Sequence, residues 1–236
     1  MAKAPPLTVE AIAVQNVKPG VERQNATRAV ALAHWLQTDA RRAQNSAAQA
    51  RIFSADSRER LERLARRNTY HKILLTLAKA AVEPRDRRAL LAEVLDAAIT
   101  LTKADMGNIQ LVDPVSGALV IEAQSGFDPF FLRYFAAVRG GATACGAALQ
   151  KRARVIVEDV ARSHIFAGTP GREIVLAAGA AAVQSTPLIA SSGRFFGVLS
   201  THYRRPQRPD EDYLPLLDAV ARQTADVLEQ APLVEP

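Results

Sequence analysis

The stretch that most constrains the fold lies near the end of the sequence, at residues 183–203. It reads VQSTPLIASSGRFFGVLSTHY and predicts two strands joined by a two-residue turn at Ser192-Gly193. The pairs predicted across the hairpin on one face are Ile189 with Phe196, Pro187 with Val198, Ser185 with Ser200 and Val183 with His202. Those on the other face are Leu188 with Gly197, Thr186 with Leu199 and Gln184 with Thr201. Because neither face is polar throughout, we expect this hairpin in a sheet that is covered on both sides.

The end of the hairpin far from the turn collects polar residues, although the sheet is predicted to be interior. The side chains concerned are Gln184, Ser185, Ser200 and His202. Buried hydroxyl and amide groups need hydrogen-bond partners. Two interpretations stay open: the groups line a small-molecule site, or they bond to neighbouring backbone and to one another.

The elements around this hairpin predict an α+β class. Asp86 can cap a helix with a broad apolar stripe over residues 87–104, and a strand, turn and strand follow at 107–126. Short helices are predicted near 128–138, 144–150 and 171–178, a strand at 153–160 and a last helix at 211–230. Hairpins at both ends of the strand order indicate an antiparallel sheet.

The order and spacing of four segments resemble the GAF domain, a small-molecule sensor module of bacterial signalling proteins. The segments are ADMGNIQLVD, ACGAALQ, VIVEDV and VQSTPL followed by GRFFGVLSTHY, and the resemblance covers roughly residues 60–230. It implies a central antiparallel sheet of about five to six strands, helices 59–102 and 211–230 on one face, and a mixed roof of residues 128–180 on the other. The ligand pocket would lie between roof and sheet.

The resemblance, together with the polar hairpin, suggests which residues contact a ligand. The predicted contacts are Cys145, Asp159, Phe166, Gln184, Ser185, Ser200 and His202. The ligand itself is not predicted, and no cofactor is implied. The four histidines lack metal-ligand spacing, although folding could bring His202 and Asp159 together, so no metal site is predicted.

The single cysteine, Cys145, offers an alternative function. It matches the cysteine of the CG motif of free methionine sulfoxide reductases, which are GAF domains that act as enzymes. Those enzymes rely on further cysteines, and this chain has none. The surrounding sequence does not resemble bilin-attachment motifs either. We therefore predict a small buried side chain and no catalytic residue, with a thiol-based redox enzyme as the alternative.

The N-terminal third is predicted to be organised separately. Three prolines and no periodicity indicate a flexible tail over residues 1–24, and a thin alanine stripe indicates a helical extension over 25–55. A stronger helix begins near Ser54 or Asp56 and opens the sensor domain, residues 56–232. Its seam follows 3-4 spacing through Leu61, Leu64, Asn68, His71, Leu75, Ala78 and Val82. This seam favours a homodimer, but a second stripe at 73–81 equally allows packing within the chain.

Charge is concentrated in the same third. Residues 1–85 hold 15 Lys and Arg against 7 Asp and Glu, whereas residues 86–236 hold 15 against 17. A basic arm can bind nucleic acid or an anionic membrane, which gives a second alternative, a tethered adaptor. A solvated helix face explains the charge as well, and nucleic acid is the less favoured partner.

Composition and missing motifs complete the prediction. With 48% apolar and 23% charged residues, the chain can bury a core. No secretory signal, apolar span or phosphate-binding glycine motif occurs, and one cysteine implies a reduced thiol in the cytoplasm. We predict a stand-alone cytoplasmic sensor that is not an enzyme. It would signal through its own helices or through an effector protein such as a kinase or a regulator.

Overall fold

The computed structural model describes residues 19–230 and 233–234 and divides the chain into two units, Met1–Leu61 and Glu62–Pro236. Within the first unit, the described residues form part of helix α1 (Pro19–Ala80), which continues into the second unit. Most of the predicted tail, residues 1–18, lies outside the described residues. The remainder of that tail, residues 19–24, is helical.

Helix α1 runs without the break that the sequence predicted near Ser54. No glycine or proline occurs between residues 21 and 80, so nothing interrupts the backbone hydrogen bonds. The Ser54 hydroxyl does not cap a new helix; it donates to the Arg51 carbonyl, 2.9 Å away. Two predicted helices are therefore one.

The end of α1 belongs to the second unit and packs within it through one stripe of side chains. Ile73 and Leu77 are buried and belong to the second of the two stripes expected for this helix, and Ala80, which belongs to neither stripe, is buried beside them. Side chains of the other stripe stay in solvent, with Leu64 at 56% and Leu75 at 59% exposure. The intrachain interpretation thus holds for one stripe and leaves the other unpaired.

The remaining elements of the second unit are labelled in chain order. Its helices are α2 (Arg87–Thr102), α3 (Pro129–Tyr134), α4 (Ala144–Lys151), α5 (Pro170–Ala177) and α6 (Leu214–Gln230), the last after a 3-10 turn at Glu211–Tyr213. Its strands are β1 (Arg85–Asp86), β2 (Met106–Val112), β3 (Leu119–Ser125), β4 (Ala137–Val138), β5 (Val155–Val157), β6 (Ala182–Ile189), β7 (Phe195–Tyr203) and β8 (Leu233–Val234).

Six strands form one antiparallel sheet in the order β4-β3-β2-β7-β6-β5. This confirms the predicted α+β class. The short strands β1 and β8 pair in parallel beside it. Strands β2, β7 and β6 occupy the centre, where they are covered on both faces, so their runs of buried residues do not alternate with exposed ones.

Each face of the sheet carries its own core. Helices α2 and α6 and the end of α1 cover one face, which we call the helix face; Leu95, Leu199 and Leu217 are fully buried there. Residues 127–180 cover the other face and form the roof, in which Phe131, Phe166 and Val175 are buried against Val198. The strand alternation therefore decides which core each side chain enters.

The β6–β7 hairpin has the predicted register at its polar end and a different loop. Ser185 pairs with Ser200, but Ile189 pairs with Phe195 where Phe196 was predicted. The Gly193 amide donates to the Ala190 carbonyl and Gly193 has a φ of 88°, which gives a three-residue loop, 191–193, with a left-handed glycine. A bulge next to Leu188 then restores the predicted pairing.

The hairpin loop is fixed to α6 by two carboxylates. Asp226 accepts from the Ser191 amide at 2.6 Å and from the Ser191 hydroxyl at 2.9 Å. Glu229 accepts from the Ser192 hydroxyl at 2.8 Å. The turn end of the hairpin is thereby joined to the last turns of the C-terminal helix.

Candidate functional site

A small cavity lies between the roof and the polar end of the hairpin. It is lined by Asn108, Gln110, Phe131, Phe135, Thr143, Ala144, Cys145, Phe166, Val175, Val183, Ser185, Ser200 and His202. The cavity volume is about 20 Å³. The cavity as it stands therefore holds about one water molecule.

The floor of the cavity is a row of polar side chains on three adjacent strands. Asn108 of β2 is opposite Ser200 of β7, which is opposite Ser185 of β6. Gln110 and His202 lie two residues further along their strands and so point to the same face. The Ser185 and Ser200 hydroxyls are 2.8 Å apart and hydrogen-bond to each other. Each of these two hydroxyls thus has a hydrogen-bond partner within the protein.

Three other polar groups on the floor are not satisfied in this way. Asn108 Oδ1, Gln110 Oε1 and His202 Nδ1 are buried without a hydrogen-bond partner. The Gln110 side chain is oriented by its amide Nε2, which donates to the Phe135 carbonyl of the roof at 3.4 Å. Buried polar groups without partners are rare in proteins, and here three of them line one cavity.

The imidazole of His202 lies among aromatic rings. The Phe127 ring meets it edge-on at 4.9 Å between centroids, and Phe131 stacks on Phe127 at 3.9 Å. Burial in this apolar cluster lowers the pKa of His202 to about 3, since removing water disfavours the charged imidazolium. At neutral pH the cavity thus contains a neutral histidine.

The thiol of Cys145 enters the cavity from the roof at the start of α4. Thr143 caps this helix by accepting from the Gly146 amide at 3.0 Å, and its hydroxyl is 3.3 Å from the Cys145 sulfur. Glycine is required at residue 146, because a Cβ there would come within 1.7 Å of the Gly140 carbonyl oxygen. Cys145 is half-buried, less than the buried side chain that the sequence predicted, and this burial raises the pKa of its thiol despite hydrogen bonds that lower it. The group is therefore a thiol and not a thiolate.

Five of the seven predicted contact residues line this cavity. They are Cys145, Phe166, Ser185, Ser200 and His202. Their role as ligand contacts remains a prediction; what the structure gives is their common location. Two residues that sequence reasoning missed, Asn108 and Gln110, lie beside them.

The structure places the other two predicted contacts, Asp159 and Gln184, outside the cavity lining. Asp159 accepts from the Ala161 amide at 2.9 Å and pairs with Arg162 at 3.7 Å in the loop after β5. Asp159 thus bonds within its own loop and is not among the residues that line the cavity with His202. Gln184 faces the helix side, where its Nε2 is 3.4 Å from the Thr186 hydroxyl, because it is one residue away from Ser185 along the strand.

The described residues contain no cluster of three or more His, Cys, Asp or Glu side chains suited to a metal ion. In the same part of the chain, residues 19–230 and 233–234, no helix has the length and apolar content needed to cross a membrane.

Comparison with known proteins gives a consistent result. The family model of the GAF domain matches residues 84–229. The GAF domain of an Acinetobacter phosphoenolpyruvate-protein phosphotransferase superposes with a TM-score of 0.56 at 17% identity, over 70% of this chain and 93% of that one. The free methionine-R-sulfoxide reductase of Neisseria meningitidis, solved with its substrate, gives 0.54 at 21% identity, over 70% and 89%.

A domain assigned to a two-component sensor histidine kinase of Sinorhizobium meliloti 1021 gives a TM-score of 0.52 at 22% identity, over 61% of this chain and 90% of that one. At these identities the similarity concerns the fold alone. No protein with a curated description matches the chain.

Proposed function

The chain belongs to the GAF domain family, and on that premise we propose that it is a sensory module that binds a small molecule between the sheet and its roof. The resemblance expected from the sequence is thereby confirmed at the level of the family. Sensor and signalling proteins among the structural neighbours support the regulatory role.

One observation carries this proposal: three buried polar atoms without partners line the same cavity, on Asn108, Gln110 and His202. A buried polar group that lacks a hydrogen bond destabilises the fold by about 1–3 kcal/mol. A ligand that supplies those bonds recovers this free energy and so binds preferentially to the folded domain. An apolar cavity with a few convergent polar groups is the usual form of a small-molecule site.

The ligand must displace roof side chains on entry, because the closed cavity has room for about one water molecule. The rings of Phe131, Phe135 and Phe166 form the apolar part of the lining. Their movement away from the sheet is the structural change that would report ligand binding.

A sensor without turnover is the function that Cys145 favours over a thiol enzyme. A nucleophilic thiol needs a lowered pKa, whereas burial raises the pKa of this one. Reduction through a dithiol needs two cysteines, whereas the sequence contains a single cysteine. The fold shared with a sulfoxide reductase at 21% identity does not supply these groups.

The module assembles as a homodimer through the exposed stripe of α1. Leu64 and Leu75 are more than half exposed, and Asn68 and His71 are also exposed at the spacing of the same stripe. Covering such an apolar stripe with its counterpart in a second copy buries it as in a coiled coil. The signal would then pass through these helices, or to an effector protein such as a kinase or regulator, in the cytoplasm. Of the basic residues in the N-terminal third, those from 41 to 60 whose burial is described are exposed, which favours a solvated helix face there, with anionic tethering as the alternative.

The proposal is tested by native mass spectrometry of the purified full chain. We expect a population heavier than the polypeptide by the mass of one small molecule, and loss of that population in a Gln110→Leu, His202→Leu double variant. Co-purified mass that survives the double variant would place the ligand elsewhere. A wild-type protein that carries no small molecule and gains none from a cell extract would refute the proposal.

A further inference from the structure

The chemistry of the cavity lining restricts the ligand more than the fold does. We propose that the ligand is an uncharged molecule with a flat apolar body and at least one N–H or O–H donor, and that the donor bonds to Gln110 Oε1. This inference rests on the proposed function, because it concerns the same cavity.

The absence of charge in the lining excludes charged ligands. None of the thirteen residues that form it carries a formal charge at neutral pH, since His202 is held in its neutral form by burial. Moving an ionised group from water into such surroundings without a counter-charge is strongly unfavourable. Carboxylates, phosphates and zwitterions are therefore poor ligands for this site.

The orientation of Gln110 requires a donor from the ligand. This side chain is 1% exposed, and its Nε2 donates to the Phe135 carbonyl. Rotation of the amide by half a turn would place Oε1 against that carbonyl oxygen, two acceptors facing each other. The oxygen therefore remains the group without a partner, and a carboxamide oxygen can only accept.

The remaining polar groups are compatible with such a ligand but less selective. Neutral His202 carries one N–H and one acceptor nitrogen, and the Asn108 amide can present either its oxygen or its nitrogen. The Ser185–Ser200 pair bonds internally at 2.8 Å. Gln110 is thus the residue that determines specificity.

The apolar part of the lining sets the shape and size of the ligand. Three phenylalanine rings lie on the roof side of the space, and aromatic rings pack well against flat partners. The closed cavity has room for about one water molecule, so a ligand enters only by displacing these rings, and a small flat molecule needs the least displacement. A mono- or bicyclic ring system fits this description.

Three related compounds test the proposal by isothermal titration calorimetry on the full chain. Indole is uncharged with one N–H donor, 1-methylindole has the same ring without the donor, and indole-3-acetate carries a carboxylate. The variant is Gln110→Leu. Its matched control is Gln184→Leu, at a glutamine that is also fully buried but lies on β6, separated from β2 by β7, and on the helix face of the sheet.

For the wild type we expect indole to bind, 1-methylindole to bind about tenfold more weakly, and indole-3-acetate not to bind. In Gln110→Leu the preference for indole over 1-methylindole should disappear, whereas Gln184→Leu should keep it. If the methyl group were excluded only by its size, the preference would persist in Gln110→Leu, because leucine and glutamine have similar volumes.

Several results would overturn the inference. They are equal binding of indole and 1-methylindole to the wild type, binding of indole-3-acetate as tight as that of indole, and no binding of any of the three compounds. The proposed function is judged separately by native mass spectrometry: a charged co-purified molecule lost in the cavity variants would refute the present inference and leave the sensory function intact.

Discussion

The neutral state of His202 predicts how the stability of the domain depends on pH. Burial lowers the pKa of this imidazole from 6.5 to about 3, whereas in the unfolded chain it returns to the ordinary value. Below pH 6.5 the unfolded state therefore binds a proton that the folded state does not bind. The free energy of unfolding therefore has its full value above pH 6.5 and decreases as the pH falls from 6.5 towards the pKa of the folded state.

The magnitude follows from the size of the shift. Each pH unit below the unfolded pKa costs about 1.4 kcal/mol of unfolding free energy. At about pH 5 the folded protein has lost about 2 kcal/mol through this one group, which is a measurable part of a typical stability of about 5–15 kcal/mol.

Urea unfolding of the wild type and of His202→Leu at about pH 7.5 and pH 5 isolates the effect, because all other groups titrate alike in both proteins. The wild type should lose about 2 kcal/mol more than the variant between the two pH values. His164→Leu, at an exposed histidine outside the cavity lining, is the matched control and should behave as the wild type. Equal losses in wild type and His202→Leu, or an NMR titration of His202 at or above pH 6.5, would refute the reasoning.

Three further predictions concern the serine pair, the thiol and assembly. Ser200→Val should lower the unfolding free energy by about 1–3 kcal/mol by leaving the Ser185 hydroxyl without its partner, and adding Ser185→Val should recover most of it; additive losses in urea unfolding would contradict this. Cys145→Ser should keep the fold, and neither protein should reduce free methionine sulfoxide with an added thiol; reduction by the wild type alone would establish an enzyme. Leu64→Glu with Leu75→Glu should convert a dimer into a monomer in light scattering and keep the fold, since both side chains are exposed; the melting temperature should fall only by the stabilisation that association supplied to the wild type. A wild type that is monomeric at about 50 µM, a concentration at which a stable dimer stays associated, would disprove the assembly.

The sequence was sufficient to predict the register of the polar end of the hairpin. Pairing of Ser185 with Ser200 depends on the hydrophobic pattern along the strands, which a one-residue shift would place on the wrong face. The loop was predicted less well, because a two-residue turn and a three-residue loop followed by a bulge give the same pairing beyond Leu188. Short-range turn preferences cannot tell these apart when two serines precede the glycine.

Part of the site was beyond the sequence argument for a different reason. Asn108 and Gln110 are two residues apart in a central strand, MGNIQLV, and this period-2 polar pattern was the available signal. Whether these two side chains share a face of the sheet with Ser200 and His202 depends on the long-range pairing of β2 with β7. Local sequence patterns do not specify that pairing. No pattern in the sequence placed Asp159 near the cavity, and in the structure its carboxylate bonds locally, to the Ala161 amide and to Arg162.

The long helix illustrates the same limit. A serine or aspartate before an apolar stripe is a typical helix start, but Ser54 is equally compatible with the middle of a helix, where its hydroxyl donates to a preceding carbonyl. Only the absence of glycine and proline from residues 21–80 indicated continuity. A residue that could cap a helix is therefore not enough to predict that one helix ends and another begins.

The attachment of the hairpin loop to α6 has a mechanical consequence. Strands β6 and β7 carry part of the cavity floor at one end, and their connecting loop is hydrogen-bonded to Asp226 and Glu229 at the other. The hairpin therefore connects the cavity to the C-terminal helix. We expect a displacement of the cavity floor to be transmitted along these strands to the last turns of α6, because the two carboxylates join the loop to that helix. Those turns form one wall of an open groove whose other wall is the end of α1, around Leu77. On this expectation, a change that begins in the cavity alters the width of a surface groove, where another molecule can sense it without contacting the ligand.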